Sequence, residues 1–309
     1  MNQPNKHRGT IVPMVTPFTK ELTLDEPAAE RMVDRLASHG LGAFVMGTTG
    51  EAASIPSSLR NRFVEIAVKA AAGRVPVYAG IGDNCVLNSI DAANAYLTIG
   101  VDAVVAHLPS YYTLTSGEMV QYFQLLSDQI NGAIVPYNIP PATHMSMPIE
   151  VVKTISDWDN VVGFKDSENV PGRLEAIAEL GKRDDFSIFM GVARNSLEAM
   201  RHGYDGLVPS SGNLAPHLWQ TFAELVEDEN WNGAEEMQNL ANNLAQVFQQ
   251  NRTLGQSLAT LKACMAALGL CQHYMLPPLL TRPESEIEEL KSQLEQFSEL
   301  QTDSYKKRT

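Results

Sequence analysis

Short apolar runs alternate with amphipathic segments along the first three quarters of the chain. The runs are rich in Val, Ile, Ala and Phe and are closed by turn residues, which is typical of buried parallel strands. Strands are predicted at residues 10–15, 42–46, 76–79, 101–107, 133–137, 161–165, 186–190 and 206–209. Helical spacing of apolar positions follows each run. Helices are predicted at residues 26–38, 57–73, 88–99, 116–130, from near 148, and at 172–180, 196–202 and 216–226.

Strand-then-helix units repeated in this way predict an α/β fold, and eight of them fit a (β/α)8 TIM barrel. An open doubly wound sheet is the structural alternative, but no break in composition interrupts the series. After Glu229 the alternation of strands and helices ends. Helices are predicted at 231–250, 257–268 and 284–300 with no strands between them. We therefore predict a barrel over residues 1–228 and a C-terminal helical region over residues 229–309.

Composition narrows the class of protein further. The chain has 309 residues, of which 44% are hydrophobic and 19% charged, and its net charge of -13 argues against a nucleic-acid surface. Three cysteines without framework spacing are expected to be reduced thiols. Residues 1–8 lack the apolar core of a signal peptide, and no apolar run reaches the length of a membrane span. We expect a cytoplasmic protein that makes no contact with a membrane.

One predicted strand ends in a lysine. The stretch 160–166 reads Asn-Val-Val-Gly-Phe-Lys-Asp, so Lys165 closes a buried apolar run. Burying an ammonium group without a partner is costly. Lys165 either extends to solvent or pairs with Asp166 or Glu168, or its surroundings destabilise the charged form so that the free amine attacks a carbonyl.

Polar residues at other strand ends are candidates for the same site. Tyr137 closes the fifth predicted strand, 28 residues before Lys165, so neighbouring strands would bring both to one rim. A phenol beside an amine suits a proton relay next to a nucleophile. Further candidates are Thr48, Thr49, Tyr111, Tyr112, Gly191, Ser210 and Ser211. Plainer interpretations stay open: the threonines cap a helix, the tyrosine pair packs in a core or interface, and Tyr137 belongs to a turn.

Three motifs occur together in one order and spacing. They are Gly47-Thr-Thr-Gly-Glu51, Tyr137-Asn-Ile-Pro140 and Gly163-Phe-Lys-Asp166. On these residues the sequence resembles the dihydrodipicolinate synthase/N-acetylneuraminate lyase superfamily, from about residue 9 to residue 300. The resemblance implies a class I, Schiff-base mechanism on 2-keto acids, with no cofactor beyond the covalent imine on the lysine. The seven histidines show no paired ligand spacing, so no metal site is expected.

The resemblance also implies roles for individual residues. Lys165 would attack the keto carbon of pyruvate, or of a 2-keto acid derived from it, and the resulting iminium would act as an electron sink. Tyr137 would move the proton that makes or breaks the carbon–carbon bond. Thr48 and Thr49 would hold the keto-acid carboxylate, where flanking glycines allow close backbone approach to an anion.

Other implied residues widen the site beyond the reacting atoms. Thr48 would also link Tyr137 to Tyr111 or Tyr112, one of which is supplied by a neighbouring subunit. Gly191, the backbone of Val208, and Ser210 match positions that line the substrate. Proteins of this superfamily are usually homotetramers built as dimers of dimers, and the resemblance implies the same assembly here.

The chain departs from the pattern of its relatives in two places. The lysine-biosynthetic synthase has an arginine that grips aspartate semialdehyde where this chain has Ala142, and an alanine cannot form that bidentate pair. Several members carry acids after the glycine matching Gly191, whereas this chain continues Val-Ala-Arg. Arg194 either meets a distal carboxylate or faces solvent. His144 stands where glycine is usual and is expected near the mouth of the pocket.

These departures favour one branch of the superfamily. We expect reversible cleavage of a 2-keto-3-deoxy sugar acid to pyruvate and an aldehyde. The alternatives that use the same lysine are the dihydrodipicolinate synthase reaction, cleavage of N-acetylneuraminate, and dehydration of a sugar acid. A non-catalytic protein that binds 2-keto acids is the alternative from a different class.

Overall fold

Eight parallel strands close into a barrel in which each strand pairs with its neighbours in chain order and β1 pairs with β8. The computed structural model describes residues 7–297 and Leu300. The strands are β1 Gly9–Pro13, β2 Gly42–Val45, β3 Val77–Gly80, β4 Ala103–His107, β5 Ile134–Asn138, β6 Gly163–Asp166, β7 Ser187–Met190 and β8 Gly206–Leu207. The predicted (β/α)8 barrel with added C-terminal helices is confirmed.

Helices surround the barrel, and three more follow its last unit. The helices are α1 Glu26–Ser38, α2 Ser57–Ala71, α3 Val86–Ile99, α4 Ser116–Gln129, α5 Pro140–Thr143, α6 Ile149–Ser156, α7 Arg173–Leu180, α8 Ser196–Arg201, α9 Pro216–Glu227, α10 Trp231–Gln249, α11 Leu254–Ala267 and α12 Glu284–Leu294. The predicted division into units at residues 228 and 229 falls between α9 and α10, and it stays a prediction. Within the described part of the chain, no helix is long and apolar enough to span a bilayer.

Two apolar layers hold the barrel together. Phe44, Val105, Tyr137 and Phe189 belong to a cluster of strand side chains. A larger cluster joins strands to the surrounding helices, for example through Val104. Because both faces of the strands are buried, their sequences are continuous apolar runs rather than alternating ones.

Local signals set several helix ends. The Asp25 carboxylate accepts a hydrogen bond from the Ala28 N–H, and Pro27 lies in the first turn, so α1 begins and ends where the sequence predicts. Thr115 and Glu118 form a capping box at the start of α4. The prediction for the last helix was wrong at its end, because α12 stops at Leu294 rather than at residue 300. The short helix α5, in the loop after β5, was not predicted.

A buried ion pair fastens the C-terminal helices to the loop after β2. Lys262 on α11 donates to the Glu51 carboxylate, and both side chains are almost fully buried. The other Glu51 oxygen accepts from the Leu276 N–H at 3.0 Å, and Lys262 also donates to the Tyr274 carbonyl at 3.0 Å. Glu51 belongs to the same turn as Thr48 and Thr49. The C-terminal helices therefore brace the loop that carries both threonines.

Replacing Lys262 with methionine is expected to lower the free energy of unfolding by about 3 kcal/mol, because the Glu51 carboxylate would stay buried without its cation. Urea denaturation at neutral pH measures the change. The matched control is Lys69→Met at an exposed position on α2, which is expected to stay within about 0.5 kcal/mol of the wild type. The double variant Lys262→Met/Glu51→Gln should recover part of the loss. A Lys262→Met variant as stable as Lys69→Met would contradict this.

Candidate active site

A cavity of about 1030 Å³ opens at the carboxyl ends of the strands. Its lining includes Pro13 at the end of β1, Tyr137 on β5 and Lys165 on β6. Loops after β2, β7 and β8 contribute further residues, and α10 closes one side. This is the end of a barrel at which strands from all sides can present reactive groups to one volume.

Lys165 lies deep in this cavity against aromatic rings. Strand register places it between Tyr137 and Phe189. Its Nζ lies 3.8 Å from the centroid of the Tyr137 ring and 4.9 Å from that of Phe44. The residue is only 6% exposed, and burial lowers the pKa of its amine to about 7. A large fraction of the side chain is therefore the free amine at neutral pH, which is the form that attacks a carbonyl.

The carboxylates closest in sequence to Lys165 are engaged elsewhere. Asp166 pairs with Arg173 at 2.6 Å and accepts from the Asn138 amide at 2.8 Å. Glu168 lies 3.3 Å from the same guanidinium. Among the described residues no carboxylate forms an ion pair with Lys165. The interpretation of Lys165 as a partner of Asp166 or Glu168 therefore does not hold, and burial is what lowers the pKa of its amine.

Tyr137 brings a buried hydroxyl to the same point. The phenol accepts a hydrogen bond from the Ser167 hydroxyl at 3.2 Å and also forms a hydrogen bond with the Thr48 side chain. Burial raises the pKa of Tyr137 to about 12, so the phenol keeps its proton at neutral pH. A hydroxyl with two hydroxyl neighbours can receive one proton while passing on another.

Thr48 and Thr49 lie on a tight turn directly after β2, and both line the cavity. The Gly50 N–H bonds the Gly47 carbonyl, and the Gly50 carbonyl accepts from the Thr16 hydroxyl at 2.6 Å. A Cβ at position 50 would lie 3.0 Å from the Met14 carbonyl oxygen. Gly50 therefore lets the turn pack closely on the chain that follows β1, and this packing holds both threonines at the cavity.

Gly191, Val208 and Ser210 also line the cavity. A Cβ at Gly191 would lie 2.0 Å from the Ser167 hydroxyl oxygen, so glycine at this position leaves room for the hydroxyl that bonds Tyr137. The structure thus brings Lys165 together with Thr48, Thr49, Tyr137, Gly191 and Ser210. Ser211 does not line the cavity: it is buried, and its hydroxyl accepts a hydrogen bond from the Trp219 indole at 3.0 Å.

Comparison with known proteins identifies the family of this chain. A sequence model of the dihydrodipicolinate synthetase family matches residues 6–297. The chain belongs to this family. It is therefore a class I, Schiff-base carbon–carbon lyase of the dihydrodipicolinate synthase family.

Individual relatives lie at moderate distance. The 4-hydroxy-tetrahydrodipicolinate synthase of Bradyrhizobium diazoefficiens is 34% identical over 219 residues, which cover 70% of this chain and 73% of that protein. The enzyme of the same name from Staphylococcus saprophyticus is 28% identical over 296 residues, covering 94% and 96%. The structure of dihydrodipicolinate synthase from Bacteroides thetaiotaomicron has a TM-score of 0.88 at 26% identity, covering 96% of this chain and 100% of that one.

A second solved structure shares the fold. YagE, a prophage protein of the dihydrodipicolinic acid synthase family from E. coli K12, was solved in complex with pyruvate. It has a TM-score of 0.88 at 24% identity and covers 94% of this chain and 99% of that one.

Two predicted site residues lie outside the cavity of their own chain. Tyr111 and Tyr112 are 78% and 71% exposed, and their rings meet edge to face with centroids 5.0 Å apart. Neither lines the cavity. Such exposure suits aromatic side chains that pack against another subunit, but the crossing of a tyrosine into a neighbouring site stays a prediction.

The positions that set this chain apart from its family also have definite places. Arg194 is exposed to solvent and lines the cavity, and its contact with a distal carboxylate of the substrate stays a prediction. Ala142 packs against the apolar cluster of strand side chains. His144 is exposed and is not among the residues that line the cavity, and its place near the cavity mouth stays a prediction.

Some cavity residues were not singled out from the sequence. Ser167 and Glu168 line it from the loop after β6, and Asn242 and Gln246 line it from α10. The strand period gave a signal for Ser167, since residues two apart point to the same side and Ser167 follows Lys165 by two. Among residues 7–297 and Leu300, no group of three or more His, Cys, Asp or Glu side chains could hold a metal ion.

Proposed function

We propose that this enzyme reversibly cleaves a 2-keto-3-deoxy sugar acid into pyruvate and an aldehyde through an imine on Lys165. The observation that carries the proposal is the geometry at Lys165: a buried amine with a pKa near 7, against the Tyr137 ring, in a cavity of about 1030 Å³. A cavity of this size accommodates a six-carbon acid beyond the imine.

The reaction proceeds in balanced steps. The Lys165 amine adds to the keto carbon C2, and loss of water gives an iminium. The Tyr137 phenolic oxygen accepts the proton of the C4 hydroxyl as it passes its own proton to a neighbouring hydroxyl. The C3–C4 bond then breaks, the aldehyde leaves, and the bonding electrons form an enamine. The proton taken from the C4 hydroxyl returns through Tyr137 to C3 of the enamine, and addition of water to the resulting iminium releases pyruvate and restores the amine.

The substrate carboxylate has a matching place in the turn after β2. Thr48 and Thr49 offer hydroxyl donors, and the turn packs tightly against β1. A carboxylate held there lies next to the keto carbon that Lys165 attacks. Binding through fixed donors orients the 2-keto acid before the imine forms, which lowers the entropic cost of the attack.

The dihydrodipicolinate synthase reaction is the second candidate, and the names of the relatives favour it. Against it stands Ala142, because the resemblance places a carboxylate-binding arginine at that position in the synthase. Among the described residues that line the cavity, Arg194 is the cationic side chain besides Lys165. Arg194 follows β7, whereas Ala142 follows β5, so the two lie in different loops.

A direct assay separates the two. The protein incubated with pyruvate and borohydride is expected to gain the mass of one reduced pyruvyl group, which establishes the imine. Condensation of pyruvate is then measured with glyceraldehyde, erythrose and aspartate semialdehyde. We expect the hydroxylated aldehydes to be used at least about tenfold better in kcat/KM than aspartate semialdehyde, since no fixed guanidinium replaces the missing arginine. Preferred turnover of aspartate semialdehyde would make the chain a synthase.

A further inference from the structure

The edge of α10 that faces the cavity is made of amide side chains. Asn242, Gln246 and Gln249 line the cavity, and their spacing of four and three residues places them along one edge of the helix. Gln250 follows at the end of the helix and lines the cavity too. We call Asn242, Gln246 and Gln249 the amide edge.

The segment around the amide edge carries no charge. Residues 237–251 contain no Asp, Glu, Lys or Arg, although 19% of the whole chain is charged and about three charges would be expected in a segment of this length. Eight of these fifteen residues are Asn or Gln. A charged group at this edge would favour ionic ligands and repel like charge. An amide has donors and an acceptor together, which matches the hydroxyl group of a polyol.

One member of the amide edge is fixed in its orientation. The Asn242 side-chain oxygen accepts a hydrogen bond from the Gln238 amide at 2.9 Å. Gln238 is buried, donates to the Ala193 carbonyl at 3.0 Å and accepts from the Leu197 N–H at 3.1 Å. Because its oxygen is held in this way, Asn242 keeps its two N–H donors for a ligand in the cavity.

The same contacts tie the amide edge to the rim of the barrel. Ala193 lies in the loop after β7, between Gly191 and Arg194, and all three line the cavity. The buried Gln238 therefore joins α10 to the loop that borders the Lys165 end of the cavity. A donor held on a rigid helix discriminates better than one on a free side chain, since less order is lost when the ligand binds.

We propose that the amide edge recognises the hydroxyl groups of the aldehyde half of the substrate. The ligand class is a polyhydroxylated aldehyde, or the corresponding part of a 2-keto-3-deoxy sugar acid, rather than its deoxy analogue. The proposal rests on the proposed function, because the amide edge can select an aldehyde only if that aldehyde reacts at Lys165. A deoxy analogue displaces water from the amides without replacing its hydrogen bonds, and this loss is the source of discrimination.

The test compares aldehydes of equal length with and without hydroxyls. Pyruvate is condensed with glyceraldehyde or propanal, and with erythrose or butanal, and the ratio of kcat/KM values is taken for each pair. In the triple variant Asn242→Leu/Gln246→Met/Gln249→Met, we expect the hydroxylated-to-deoxy ratio to fall at least about tenfold. Most of the effect should come through KM of the aldehyde.

The matched control is Asn243→Leu, an exposed amide next to the edge that does not line the cavity. It should leave both ratios unchanged. Borohydride trapping of pyruvate is run on the wild type and on every variant. Absence of the trapped imine in the wild type would overturn the proposed function. Intact trapping with unchanged ratios in the triple variant would overturn only the role of the amide edge. An equal loss in Asn243→Leu would also overturn it.

Discussion

A Lys165→Met variant is expected to form no borohydride-trapped pyruvyl adduct and to lose turnover by at least about 10⁴-fold. Methionine keeps the length and apolar volume of the side chain but has no amine to attack the keto carbon. Without the imine, the enzyme has no electron sink for the carbon–carbon bond. Mass spectrometry after trapping and a coupled assay of pyruvate release measure the two effects.

The same variant should be more stable than the wild type at neutral pH. Burial lowers the pKa of the Lys165 amine to about 7, whereas its ordinary value is 10.5. Between these values the unfolded chain binds more protons than the folded one, so the stability of the wild type rises with pH through that window. At pH 7 and below, Lys165→Met removes a cost of about 4 to 5 kcal/mol, since a difference of about 3.5 pKa units corresponds to that free energy.

Urea denaturation at several pH values tests this effect. The advantage of Lys165→Met should be largest below about pH 7 and should shrink as the pH rises from 7 to 10.5. A stable variant without activity would separate loss of the nucleophile from loss of folding. A variant that is less stable than the wild type at pH 7 would contradict the buried, largely neutral amine.

The sequence predicts the barrel because two of its signals are local. Apolar runs and helical spacing mark the units directly, and α1 spans the predicted residues 26–38. Lys165 and Tyr137 were also predictable, because parallel neighbours on the barrel end at the same rim, and strand register pairs these two residues. An ionisable side chain at the end of an apolar run is a strong signal.

Other parts of the site depend on contacts that no local pattern encodes. The Lys262–Glu51 pair joins residues 211 positions apart. The amide edge is ordinary helix surface by its spacing and becomes a cavity wall only because α10 packs beside the barrel mouth. From the sequence Glu168 was considered only as a partner of Lys165, since its pairing with Arg173 depends on how α7 packs against β6. The end of α12 was predicted too late because charged residues and apolar spacing continue past Leu294.

Tyr137→Phe is expected to retain the trapped pyruvyl adduct and yet to lower turnover by about 10²- to 10⁴-fold. The aromatic ring that covers the Lys165 amine at 3.8 Å remains, so the apolar surroundings that lower the pKa of that amine are preserved. What disappears is the buried hydroxyl, which bonds Ser167 at 3.2 Å and keeps its proton because burial raises its pKa to about 12.

The matched control for Tyr137→Phe is Tyr78→Phe, a second buried phenol of the same apolar cluster. The Tyr78 hydroxyl bonds His7 at 2.8 Å and does not line the cavity, so its loss should leave kcat within a few-fold of the wild type. The two substitutions delete the same atom from the same kind of surroundings, and only one of the atoms faces the reacting bond. If Tyr137→Phe turned over at the rate of Tyr78→Phe, the proton transfer assigned to the Tyr137 hydroxyl would be wrong.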